Sequence, residues 1–173
     1  MSGSRGETAG ATMSNGCDPA ELVLLHLGRS TLALQRREVR DLLEPPGRAA
    51  GLDSGAARDA GAGATLRVAA TAVPVLILDD ALQPCAAAPA QRRICVLLEH
   101  PGRQFGVLCD EFEHRIDTAR GRVKTHELPP AMRTPRTPVT GLLQIGETVA
   151  LLTHARALAD AFAVPADATP QAA

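Results

Sequence analysis

The chain has 173 residues, a length that fits one domain or two small subdomains. Its formal net charge is -1, so no strong electrostatic field attracts it to nucleic acid or membranes. Trp and Tyr are absent and Phe occurs only three times, which excludes a stacking platform for single-stranded nucleic acid. The four cysteines form no C-x-x-C pair, so no zinc or redox motif is predicted.

Residues 1–19 are rich in Gly, Ser, Ala and Thr and lack an apolar h-region, which predicts a disordered tail rather than a secretory signal. The longest apolar run, residues 69–78, contains Pro74 and reaches only about half a membrane span. We therefore expect a reduced, cytoplasmic protein without direct membrane insertion.

Residues 21–27 and 31–35 are strand candidates joined by a Gly-Arg-Ser turn. Residues 35–43 place apolar side chains at helical spacing among charges, which predicts one or two turns of helix ended by the Pro-Pro pair at 45–46. Residues 47–64 are mostly Gly and Ala, and with little to bury they are expected to form a long mobile loop.

One or two strands are predicted within residues 66–78, followed by a loop over residues 79–90. Two apolar runs, 94–98 and 105–109, flank a segment with a Pro-Gly pair, which predicts a β-hairpin. Its strands are apolar at nearly every position rather than alternating. Such strands have both faces covered, as in a small barrel or inside a packed sheet.

Residues 111–128 are interpreted as a strand continuing out of this hairpin, and the four prolines of residues 129–138 predict an extended loop. A second hairpin over residues 140–152 turns at 146–147. Residues 151–162 predict a C-terminal helix, or a strand running into one. The sum favours an all-β barrel or a pair of barrels.

The sequence contains neither a phosphate-binding loop nor the G-x-S-x-G motif that presents a nucleophilic serine. The acidic run at 110–114 either supplies a pair of catalytic carboxylates or is the solvent-exposed continuation of a strand. The basic pairs at 36–37 and 92–93 are interpreted as solvated rim, that is, as solvent-exposed surface residues rather than a binding site. No catalytic, cofactor-binding or metal-binding residue is predicted, because the His and Cys spacing matches no common site: His100, Cys109, His114 and His126.

Four ordered blocks carry a resemblance to a known family: residues 27–42, 73–78, 106–110 and 140–147. They stand where the family has its Gly turn with V-[RQ]-E-[VI], its P-V-x-D-L strand, its G-[LI]-[LV]-V-D strand and its T-G-x-x-x-L-G-[DE] turn. From about residue 21 to 158 the chain thus resembles the CheW-like domain, the coupling adaptor of bacterial chemosensory arrays.

The resemblance implies two packed five-stranded SH3-like β-barrel subdomains with one or two short helices, spanning residues 20–163 between tails at 1–19 and 164–173. It implies a non-enzymatic role bridging methyl-accepting chemoreceptors and the regulatory domain of a CheA-type histidine kinase. Apolar barrel ends would pair with the kinase, and a groove between the barrels would take the receptor's helical tip. By matched position, Val39 and Asp41 face the receptor, and Ala69 marks a change in that surface.

Departures from the family pattern favour a divergent member, serving a type IV pilus or another specialised chemosensory system. The Arg-Gly pair that usually precedes the P-V strand is replaced by Ala69 and Ala70. An alternative is a degenerate CheW-like module that binds a receiver-domain regulator or a polar landmark protein. A third hypothesis is a small β-barrel enzyme that uses His114 and the acidic run.

Overall fold

A computed structural model describes residues 21–43, 52–53, 64–68, 71–115, 123–134 and 137–165, and these form strands, short 3-10 turns and one α-helix. The strands are β1 (Leu22–Leu27), β2 (Ser30–Gln35), β3 (Val39–Leu43), β4 (Leu52–Asp53), β5 (Ala64–Val68), β6 (Thr71–Leu76), β7 (Ile94–His100), β8 (Arg103–Cys109), β9 (Glu111–Arg115), β10 (Val123–His126), β11 (Val139–Ile145) and β12 (Thr148–Thr153), and helix α1 spans Ala155–Ala161. No helix within the described ranges is long and apolar enough to cross a membrane.

The strands divide into two sheets that correspond to different parts of the chain. The terminal sheet has the order β10-β11-β12-β2-β1-β9, and the central sheet has the order β3-β7-β8-β6-β5-β4. Among the described residues each sheet therefore has six strands, and in the central sheet one of them, β4, is two residues long. The predicted all-β fold of two subdomains is confirmed.

Three clusters of buried side chains explain why the strands are apolar at nearly every position. In β1, Leu22 and Leu24 pack inside the terminal sheet, whereas Val23 and Leu25 pack in a large central cluster between the two sheets. Successive side chains of a strand point to opposite faces. A strand with a core on each side therefore needs apolar residues throughout.

The central hairpin follows the same rule. In β7, Cys95 and Leu97 point into the cluster of the central sheet, and Val96 and Leu98 point into the cluster between the sheets. The hairpin is confirmed and is tighter than predicted, since His100 pairs with Arg103 across a two-residue turn. The predicted hairpin over residues 140–152 is also confirmed, with Ile145 paired to Thr148.

One continuous segment joins the two subdomains. Strand β8 ends at Cys109 in the central sheet, and β9 begins at Glu111 in the terminal sheet, so only Asp110 separates them. The predicted strand continuing out of the hairpin is thus present, and it crosses to the other sheet. Asp110 stays anchored to the terminal sheet, because its backbone N–H donates to the carbonyl of His26.

Two sequence predictions are wrong in the middle of the chain. Residues 35–43 form a 3-10 turn at Arg36–Glu38 and then strand β3, not a helix. The reason is that β3 pairs with β7, and this tertiary pairing overrides local spacing. Within the predicted loop 47–64, β4 pairs with β5, whose first residue is Ala64. The remainder of that loop and the tail predicted at 1–19 lie outside the described residues.

The C-terminal strand runs into helix α1 as predicted, and the helix packs on the cluster between the sheets through Ala155, Leu158 and Ala159. Val164, which the sequence places in a tail, is 2% exposed and belongs to the same cluster. The buried core therefore reaches past the predicted end of the domain.

Candidate functional site

An exposed strand surface lies at the edge of the central sheet, where the resemblance places a partner. In β3 the pairing with β7 shifts between Val39 and Asp41, so Arg40 is an extra residue on that strand. Such a bulge breaks the alternation of side chains. As a result Arg40, Asp41 and Leu42 are all exposed, and Leu42 is 43% exposed although it is large and apolar. These three residues are called the β3 surface below.

The three predicted partner-binding residues are placed differently. Asp41 lies on the β3 surface, where its Oδ1 accepts a hydrogen bond of 2.8 Å from the N–H of Leu42. Val39 is 5% exposed and packs in the cluster between the sheets, so its role in contacting a partner stays a prediction. Ala69 lies outside the described residues.

A partly buried carboxylate connects the 3-10 turn before β3 with helix α1. Glu38 accepts a hydrogen bond of 3.2 Å from the N–H of Ala155, the first residue of the helix. Its other oxygen lies 3.8 Å from Nδ1 of His154. The interaction with Glu38 raises the pKa of His154, although partial burial and the nearby Arg37 act in the opposite direction. When His154 is protonated, its ion pair with Glu38 adds to the contact between the N-terminus of helix α1 and the 3-10 turn before β3.

This pair predicts a pH-dependent part of the stability. Because the pKa of His154 is higher in the folded state, the contribution is complete below the unfolded-state pKa of about 6.5 and is lost as pH rises through the folded-state pKa. His154→Gln should lower the free energy of unfolding more at about pH 5.5 than at about pH 8. Urea unfolding at both pH values measures this difference.

Two further variants control that experiment. Glu38→Gln keeps an acceptor for the N–H of Ala155 but removes the negative charge. The pH-dependent part of the free energy of unfolding that His154 contributes should therefore be absent from this variant. His114→Gln changes an exposed histidine on β9 and should leave the difference intact. An equal loss at both pH values for His154→Gln would mean that the ion pair contributes nothing.

A polar cluster lies where the two sheets meet. The side chain of Arg92 is fully buried, with Nε 3.5 Å from Oδ1 of Asp110 and a terminal nitrogen 3.6 Å from Oδ1 of Asp80. The N–H of Gly28 donates to the other oxygen of Asp110, and Ser30 donates to the carbonyl of Asp80. The interpretation of residues 92–93 as solvated rim is therefore wrong for Arg92, while Arg93 is exposed.

The acidic run does not converge on a catalytic centre in the described part of the chain. Asp110 faces Arg92, and Glu113 lies 3.7 Å from His26 across the strand pair. His114 is exposed. A search of the described residues finds no group of three or more His, Cys, Asp or Glu that could hold a metal. Burial raises the pKa of Cys95 and of Cys109 to about 12, which keeps both thiols neutral and weakly nucleophilic.

A groove of about 560 Å³ opens beside the polar cluster. It is called the junction groove, because the loop after β6 contributes one part of its lining, and the connection between β10 and β11, the terminal sheet and the end of helix α1 contribute the rest. Its lining consists of Ser30, Asp80, Ala81, Leu82, Gln83, Pro84, Ala131, Met132, Thr134, Thr137, Pro138, Val139, Leu151, Ala161 and Phe162. Neither Val39 nor Asp41 belongs to it.

The loop that borders the junction groove is held by Asp79. Its Oδ1 accepts hydrogen bonds of 2.8 Å from the N–H groups of Ala81 and Gln83. The turn places Leu82 at a φ of +59°, a left-handed conformation that is unusual for a leucine. Leu82 is 7% exposed as a result and joins the cluster between the sheets.

Comparison with solved structures supports the fold assignment. The chain is similar to the scaffolding protein CheW from Thermoanaerobacter tengcongensis, with a TM-score of 0.55 and 13% sequence identity over 78% of this chain and 88% of that one. No protein-family model matches the sequence. No curated protein matches it either. At this identity the likeness establishes a CheW-like fold, which is the fold that the sequence blocks predicted.

Proposed function

We propose that this chain, which has the fold of a CheW scaffolding protein, is a non-enzymatic adaptor that couples methyl-accepting chemoreceptors to a CheA-type histidine kinase. The observation that carries the proposal is the extent of the structural likeness, which covers 88% of the scaffolding protein. Both subdomains are therefore included in it. The adaptor would work in the cytoplasm at receptor arrays, in a type IV pilus or another specialised chemosensory pathway.

The β3 surface supports a role in protein binding. It is an edge strand of the central sheet among the described residues, and it presents a carboxylate beside an exposed leucine. Edge strands and exposed apolar side chains are both features that partner proteins cover. Asp41 is the residue of this surface that the family resemblance also assigns to the receptor, and we propose that it contacts the receptor tip.

Binding to the kinase tests the proposal directly. Titration calorimetry of the full chain against the regulatory domain of a CheA-type kinase from the same genome should give a dissociation constant of about 10 μM or tighter. The absence of association at about 50 μM would contradict the proposed function.

A charge reversal on the β3 surface tests receptor coupling separately. Asp41→Lys should reduce receptor-dependent kinase activation about tenfold in reconstituted assemblies, which corresponds to about 1.4 kcal/mol of lost binding. The matched control is Glu147→Lys, at the exposed turn of the β11–β12 hairpin. Equal effects of the two reversals would exclude a specific role for Asp41.

Localisation distinguishes the alternative, in which the module binds a receiver-domain regulator or a polar landmark protein. In cells that lack the kinase, a fluorescent fusion of the chain should no longer form fluorescent foci at the cell pole. Foci that persist without the kinase would favour the alternative partner.

A further inference from the structure

We propose that Asp41 protects the open edge of the central sheet against pairing with strand β3 of a second copy of this chain. Its carboxylate occupies the backbone N–H of Leu42, to which a pairing strand would otherwise present a carbonyl oxygen. The proposal goes beyond the adaptor function above, because it concerns a partner that the β3 surface excludes, and it does not require receptor binding.

Strand β3 is the sheet edge at which protection is most needed. In the described part of the chain, the two sheets end in the edge strands β3, β4, β9 and β10. Strand β4 is two residues long, and β9 and β10 carry charged residues such as Glu111 and Lys124. Among these described edges, β3 is the one with an exposed large apolar side chain, since Leu42 is 43% exposed. An exposed edge strand with apolar residues is a template for pairing with another chain.

The hydrogen bond between Asp41 and Leu42 lies where a new strand would bind. Oδ1 of Asp41 accepts from the N–H of Leu42 at 2.8 Å, and both residues are exposed. Backbone N–H groups alternate between the two sides of a strand, and an exposed acceptor indicates that this N–H faces away from β7. A strand that paired on this side would need the N–H for its own carbonyl group. While the carboxylate of Asp41 accepts from it, one backbone hydrogen bond of such a pairing is lost.

The bulge residue Arg40 is directed elsewhere. Its guanidinium lies 3.4 Å from the carboxylate of Glu99 on the neighbouring strand β7. Arg40 therefore extends over the paired side of β3, and Asp41 is the charged residue of the β3 surface that acts on the open side. The bulge adds to the protection, because an extra residue disturbs a regular backbone ladder.

A second copy of the chain is the partner that fits this edge, because two β3 strands can pair about a two-fold axis and present the same groups to each other. In an antiparallel pair centred between positions 40 and 41, Arg40 of each copy lies opposite Asp41 of the other, so these charges attract. The net charge of -1 gives little long-range repulsion between copies. Charge therefore does not keep two copies apart, whereas occupation of the Leu42 N–H does.

Sedimentation velocity of the full chain at about 10 to 200 μM tests the proposal. The parent chain should be a monomer throughout. Asp41→Ala frees the N–H of Leu42 and should lower the dissociation constant of a dimer at least about tenfold, into this range. Asp41→Asn keeps an acceptor oxygen and should remain a monomer. Adding Leu42→Pro to Asp41→Ala should restore the monomer, because proline lacks the N–H and is tolerated where that group faces away from the sheet.

A matched control and a second measurement complete the experiment. Glu111→Ala removes an exposed carboxylate from the edge strand β9 and should leave the chain a monomer. Amide hydrogen exchange reports on the hydrogen bond without a dimer. In dilute protein, the Leu42 amide should exchange about tenfold faster in Asp41→Ala than in the parent chain or in Asp41→Asn.

Three outcomes would overturn the proposal. Asp41→Ala could stay a monomer at about 200 μM, which would show that the edge needs no protection. Dimers that form equally with Asp41→Asn would show that the charge, not the acceptor, keeps the copies apart. Dimers that persist after Leu42→Pro is added would place the interface elsewhere. Kinase activation by Asp41→Asn reports separately on the adaptor function, because this variant removes the charge proposed to contact the receptor but keeps the acceptor.

Discussion

Arg92→Met should lower the free energy of unfolding by about 3 kcal/mol, because it removes one partner of a buried charge pair. The guanidinium is fully buried, and Asp110, 3.5 Å away, is only 20% exposed. Without Arg92, the carboxylate of Asp110 remains in a poorly solvated position with the Gly28 N–H as a hydrogen-bond donor. Methionine retains much of the side-chain volume, so the loss reports mainly on charge.

Urea unfolding of the variant and of Arg93→Met provides the measurement. Arg93 is the exposed neighbour in the sequence, and its substitution should change stability by less than about 0.5 kcal/mol. Adding Asp110→Asn to Arg92→Met should recover part of the loss, since the unpaired charge is then removed while an acceptor for Gly28 remains. A loss for Arg92→Met no larger than that for Arg93→Met would show that the cluster does not hold the subdomains together.

The contrast between Arg92 and Arg93 shows where sequence reasoning ends. Adjacent arginines before a strand have the same local pattern, and only the meeting of two sheets decides which one is enclosed. The apolar strands were predictable because each one faces two cores, and continuous hydrophobicity reports burial on both sides. Strand β3 was mistaken for a helix because its apolar residues, Val39, Leu42 and Leu43, have helical spacing among charges, and the bulge at Arg40 removes the alternation that identifies a strand.

The candidate surfaces were predictable to different degrees. Asp41 was found by its position in a family-like block, and the structure places it on an exposed edge. The junction groove left no signal in the sequence. Its lining residues are far apart in the sequence, from Ser30 and Leu82 to Met132 and Phe162, and the loop that borders it holds Leu82 in a left-handed conformation. A loop of this kind gives no periodic pattern from which its conformation could be inferred.

The turn between β1 and β2 offers the second large effect. Gly28→Ala should lower the free energy of unfolding by about 2–3 kcal/mol, of which about 1–2 kcal/mol is the cost of a left-handed conformation in a non-glycine residue. Gly28 has a φ of +63°, and a Cβ at this position would overlap the carboxylate of Asp80. The carboxylate can swing aside because it is half-exposed, but it then leaves Arg92 with Asp110 alone. The backbone cost and the lost charge contact therefore add.

Gly146→Ala separates these two contributions, because Gly146 has nearly the same φ, +61°, and a Cβ added there would meet no atom within 4 Å. It should cost only the conformational part, about 1–2 kcal/mol, so the difference between the two variants measures the displacement of Asp80. In an Asp80→Ala background, the excess cost of Gly28→Ala should disappear, since the obstructing carboxylate is gone. Equal losses for the two glycine variants in the parent chain would show that Asp80 moves without cost.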